Sequence, residues 1–182
     1  APDIVRIALP IALDRTLPHM LRGSAVAGLA HAGDSTLVPA LVAGLDENDQ
    51  LHLSLLDCIG SLTDAASIPM VLPLLVRTDA MISGAYYRFR ELQNRAAVDQ
   101  FLSVLATEPG MIQSSRLDAY AKPLWEALAE FWEPRWSAPL ARLIVRWETS
   151  HVYERQVESL TDALRQLGTR GEELVRLVLQ EL

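Results

Sequence analysis

The side chains best suited to chemistry are few and scattered along this chain. There are four histidines, His19, His31, His52 and His151, and one cysteine, Cys58. No histidine has a Glu beside it, so no His-Glu pair offers a metal ligand set or an acid–base unit. His52 reads as a surface hydrogen-bonding residue. Cys58 has no cysteine partner for a zinc knuckle, a redox pair or an internal disulfide, which fits a reducing compartment; a cytoplasmic setting is the expectation. The nine glycines form no phosphate loop ending in Lys-Ser or Lys-Thr, no Gly-x-Gly-x-x-Gly and no Gly-x-Ser-x-Gly. The expectation is a chain without catalytic residues, metal or cofactor.

What remains is recognition chemistry. All four tryptophans, Trp125, Trp132, Trp136 and Trp147, fall in one stretch, interleaved with Arg135, Arg142 and Arg146. Trp and Arg are enriched at binding hot spots. The competing reading is that bulky rings fill an irregular junction, with their polar tips at the surface. Trp125 and Trp132 follow an apolar helical face and read as packing; Trp136, Arg142, Arg146 and Trp147 are candidate protein-binding residues. A second cluster is Tyr86-Tyr87-Arg88-Phe89-Arg90, in which Phe89 is core and Tyr86 and Arg90 read as a solvated face.

Charge narrows the partner. The net charge of −7 argues against a non-specific nucleic-acid binder, which needs a basic stripe to displace counterions. Residues 1–76 hold three Arg against eight Asp or Glu, whereas Arg77, Arg88, Arg90 and Arg95 form a local basic cluster. No apolar run reaches the roughly 18–20 residues needed to cross a bilayer. The first residues are apolar but carry Asp3 and Arg6, and no signal peptide is read there.

These residues must be positioned by helices, and the helices repeat. Asp34-Ser-Thr-Leu-Val-Pro39-Ala-Leu-Val-Ala-Gly-Leu45 recurs as Asp64-Ala-Ala-Ser-Ile-Pro69-Met-Val-Leu-Pro-Leu-Leu75 and as Asn94-Arg-Ala-Ala-Val-Asp99-Gln-Phe-Leu-Ser-Val-Leu105, each 30 residues on. A period of this size signals stacked helical hairpins, each too small to bury its own apolar face. In the first helix Leu21, Ala25, Gly28 and Leu29 share a face, matched by Leu51, Leu55, Cys58 and Ile59, then by Met81, Ala85, Arg88 and Phe89. Small residues at Ser24, Ser54 and Gly84 predict close helix approach. Asp34, Asp64 and Asn94 suit the N-cap of the second helix, and Pro39 and Pro69 its first turn. Asp99 replaces the proline in the third unit, where a negative charge faces the positive end of the helix dipole. The buried columns are Leu41, Val42, Leu45; Val71, Leu72, Leu75; and Phe101, Leu102, Leu105. The links between units are short and acidic, Asp46-Glu-Asn-Asp49 and Arg77-Thr-Asp79.

Leu21-Arg22, Ala25-Val26, Gly28-Leu29, Gly33-Asp34, Val38-Pro39 and Leu41-Val42 together resemble the HEAT repeat family, in its short bacterial, phycobilin-lyase-type form. The resemblance covers residues 19–106; His52 stands at the Arg position of the second unit, and the third unit departs at several positions. It implies an all-α, right-handed α/α superhelix serving as a scaffold for protein partners. HEAT-like deoxyhypusine hydroxylases carry iron on His-Glu pairs that this chain lacks. HEAT-like lyases and DNA-repair glycosylases supply the alternative function, an enzyme or a nucleic-acid-binding solenoid.

After residue 106 the register breaks. Thr107-Glu-Pro-Gly110 is a turn, Ser114 or Ser115 caps a new helix, and Pro123 either kinks that helix or starts another. Ser137–Trp147 puts Leu140, Leu143 and Ile144 inward. Residues 150–167 form a long helix using Val152, Val157, Leu160 and Leu164, and the last helix buries Leu174, Val175, Val178 and Leu179. The whole chain, 1–182, is expected to be one HEAT-like array, regular over 19–106 and irregular over 107–182, and to be part of something longer. Its apolar N-terminal helix, 3–13, is expected to pack on another repeat, domain or subunit. The second helices would line the concave side, which adds Arg77, Gln100 and Ser103 to the candidate protein- or peptide-binding residues.

Overall fold

The computed structural model describes residues 2–45, 52–78, 82–108, 110–111, 114, 116–150 and 157–181, and at 2, 52, 147–150, 157–159 and 181 the backbone only. Several sequence expectations therefore lie outside the described residues: the Asp46–Asp49 link, Leu51, Asp79, Met81, Ser115, Val152, and the side chains of His52, Trp147 and Val157. The described residues are helical and contain no strand. They form two compact units, Ala1–Glu91 and Leu92–Leu182. The division falls inside the third 30-residue repeat, between its two helices.

The first unit comprises α1 (Pro2–Leu13), α2 (His19–Ala32), α3 (Val38–Ala43), α4 (His52–Leu62), α5 (Ile68–Arg77) and α6 (Ser83–Glu91). One layer runs α1 on α2, α2 on α4 and α4 on α6, while α3 packs on α5 and α4. Turn chemistry sets the repeat. Gly33 takes the left-handed conformation that ends α2, at φ 66°. The Asp34 carboxylate then accepts from the Thr36 N–H at 3.0 Å and the Thr36 hydroxyl at 2.6 Å. Asp64 does the same for Ser67, at 2.8 Å and 2.5 Å. Each opens a single 3₁₀ turn, Ser35–Leu37 or Ala65–Ser67, and Pro39 and Pro69 follow in the first turn of α3 and α5. Leu29, Leu41, Leu55, Ile59, Val71, Leu72, Leu75 and Phe89 are then fully buried. Each such side chain contributes about 1.5–3 kcal/mol through apolar burial.

The expected close approach is real but differently placed. Ser24 and Ser54 are exposed, and only Gly84 of that column meets another helix. A Cβ on Gly84 would lie 2.9 Å from the Asp57 carbonyl oxygen, and one on Gly60 would lie 2.6 Å from the Ala85 backbone nitrogen. Gly60 and Gly84 thus let α4 and α6 touch backbone to backbone, and Asp57 Oδ1 accepts from the Gly84 N–H at 3.2 Å. Two arginines close helix ends. Arg22, almost fully buried, donates through Nε to the Ala12 carbonyl at 3.1 Å near the end of α1. Arg88 donates to the Thr63 carbonyl at 2.7 Å just past α4. A cation there satisfies a carbonyl the helix leaves open and meets the negative end of its dipole. Because α2 turns Arg22 inward, Leu21 is left 47 % exposed, against the expected face. Along α1, Ala8 and Ala12 are buried while Ile4 and Ile7 face solvent.

The second unit comprises α7 (Arg95–Thr107), α8 (Leu117–Glu130), α9 (Ser137–Ser150), α10 (Val157–Leu167) and α11 (Glu172–Glu181). Here α7 packs on α8 and α9, α8 on α10 and α9 on α11. The Asn94 side chain accepts from the Ala97 N–H at 2.9 Å, and α7 begins directly as an α-helix, without the 3₁₀ turn of the earlier repeats. Pro123 neither ends α8 nor starts another helix; it is buried inside one continuous helix. On α11 Leu174 is buried, but Val175 is 58 % and Leu179 70 % exposed, so the expected inward face of α11 is only partly covered. Its packing partners are chiefly α9 and the turn Gly168–Gly171, which leave its far side open.

Candidate protein-binding site

The Trp-Arg stretch divides into a structural part and a surface part. Trp136 is only 2 % exposed, and its Nε1–H donates to Asp99 Oδ1 at 2.7 Å. Arg135 binds Asp99 Oδ2 at 2.8 Å and Glu133 at 2.6 Å, and Arg95 binds the other Glu133 oxygen at 2.8 Å. The Arg135 guanidinium lies 5.9 Å from the centroid of the Trp136 ring, which meets Trp132 edge-on at 6.3 Å. Two cations balance two carboxylates, and the indole N–H is satisfied. This corrects the expectation for Trp136: it ties the turn before α9 to α7 and presents nothing to a partner. It also corrects the reading of Asp99. Because α7 starts at Arg95, Asp99 is its fifth residue, beyond the first turn, and its charge serves Arg135 and Trp136 instead of the helix dipole. Trp125 is packing as expected, buried edge-on against Phe101 with centroids 4.5 Å apart.

Two of the other candidates in this unit come together. Arg142 and Arg146, one turn apart on α9, line a dimple with Pro139 and Leu143 of the same helix and Leu102, Leu105 and Ala106 of α7. The leucines are buried and form its floor, and both arginines and Ala106 are exposed; Ser103, exposed, and Gln100, half-buried, sit elsewhere on α7 and do not line it. The enclosed space is about 20 Å³, room for the tip of one side chain and far below the several hundred Å³ of a small-molecule site. No acidic residue lines it, and Arg142 has no ion pair among the described residues. Arg77, the remaining candidate, is exposed at the end of α5 in the first unit.

Two further clefts escaped the sequence reading. An apolar one of about 240 Å³ is walled by Ile144, Leu164, Leu167, Leu174, Val178 and Leu179. A wider polar one between α8 and α10, about 560 Å³, gathers Asp118, Lys122, Glu126, Asp162 and Gln166. There Glu126 accepts from Gln93 Nε2 at 3.0 Å, and Asp162 pairs with Arg165 at 2.9 Å. The signal for the apolar cleft was present in the excess of apolar residues on α11; the polar one needs two helices from distant sequence.

Cys58 and Asp64, elsewhere in the chain, are engaged in the fold. Cys58 is buried, its thiol donates to the Val26 carbonyl at 3.3 Å, and burial, reinforced by Asp57, pushes its pKa up to about 11. It is a neutral thiol, not a nucleophile. For Asp64, burial pushes the carboxyl up, but hydrogen bonds from the hydroxyls of Ser67 and Ser35 and the Ser67 N–H outweigh it and hold the group below its ordinary value. Among the described residues the buried Ser137 hydroxyl has no hydrogen-bond partner. Among the described residues no three of His, Cys, Asp or Glu are grouped to hold a metal ion, and no helix is long and apolar enough to cross a membrane. In comparisons with known proteins, no family model matches the chain, and no curated protein or solved structure is significantly similar to it.

Proposed function

We propose that the chain is a non-catalytic protein-interaction module, a HEAT-like scaffold whose helical hairpins stack into a right-handed α/α superhelix, and that the α7–α9 surface is where a partner docks. The observation that carries this is the dimple itself. Its floor is three buried leucines, its rim two exposed arginines one turn apart, and its volume that of a side-chain tip. Protein partners recognise surfaces of this kind through an anchor side chain ringed by charge-assisted contacts. The overall charge of −7 disfavours the nucleic-acid alternative, since two arginines cannot carry a phosphate backbone.

The test is affinity capture from a lysate of the source cells, comparing the wild-type chain with Arg142→Glu/Arg146→Glu. A partner recovered in quantity with the wild type and lost with the variant is the expected outcome. Recovery of the same proteins by both would remove this surface from the account.

A further inference from the structure

We draw no further inference here: the strongest candidate, the apolar cleft of about 240 Å³ walled by Ile144 of α9, Leu164 and Leu167 of α10 and Leu174, Val178 and Leu179 of α11, carries nothing, because nothing in the structure shows what covers it, the α9 side chains from residue 147 onward lying outside the described residues.

Discussion

The two compact units solve one packing problem with different materials. In the first, residues 1–91, helices are brought together by removing side chains: Gly60 and Gly84 put the backbones of α4 and α6 in contact. In the second, rings pack between the elements, Trp125 on Phe101 and Trp132 on Trp136, with an ion-pair network around Glu133 and Asp99. The column Leu41, Val71, Phe101 runs through this change and stays fully buried in both units. At this position burial is kept from unit to unit while the size of the residue changes; in the neighbouring columns Val42 and Leu45 are only half-buried where Leu72 and Leu75 are buried. The difference also bears on binding. In the second unit α7 and α9 leave between them a dimple rimmed by Arg142 and Arg146.

The largest effect is expected at Trp125. Trp125→Ala should cost about 3–5 kcal/mol, because a ring-sized cavity opens beside Phe101. Urea unfolding measures the loss, and amide exchange should place it in residues 92–182. Gly60→Ala attacks the other construction. Its Cβ would sit 2.6 Å from backbone of α6, so the variant should lose about 1–3 kcal/mol despite alanine's better helix propensity. Gly28→Ala is the contrast: its Cβ would meet only Ile4 at 3.8 Å, and the change should stabilise by about 0.5–1 kcal/mol. Opposite signs at two glycines 32 positions apart in neighbouring helices would sharpen the distinction between a contact glycine and an incidental one.

Asp99→Ala probes the polar network of the second unit. It leaves the buried Trp136 N–H without its acceptor, a loss of about 1–3 kcal/mol, and Trp136→Phe in the same background should recover part of it in a double-mutant cycle. The smallest effect is expected at Asp64, where removing the cap with Ala should cost about 1 kcal/mol near neutral pH. Because hydrogen bonds hold this carboxyl below its ordinary value in the folded chain, its contribution is present above about pH 4 and is lost as pH falls through the folded value. The gap between wild type and Asp64→Ala should therefore close in acid.

Local signals explain what the sequence disclosed. Caps at Asp34, Asp64 and Asn94, prolines at 39 and 69, and the 30-residue period are written within a single hairpin, and the helices follow them closely. Contacts between hairpins were harder to read. Gly60 does not belong to the small-residue column that sequence alignment of the repeats suggested, and Arg22 is buried only because α1 ends beside it. The site was legible in part for the same reason. Arg142 and Arg146 are neighbours by helical spacing, but their partners Leu102, Leu105 and Ala106 come from α7, and nothing local showed that Trp136 would spend its N–H on Asp99.

Recognition on the α7–α9 surface, as proposed, is read out residue by residue by amide chemical-shift perturbation on the isotopically labelled full chain. Titration with the partner recovered by affinity capture should shift signals of residues 102–106 and 139–146 first and most strongly, with α1 to α6 largely unmoved. Shifts centred on α1 and α2 around Ile4 and Ile7, or on α11 around Leu179 with α7 silent, would contradict it.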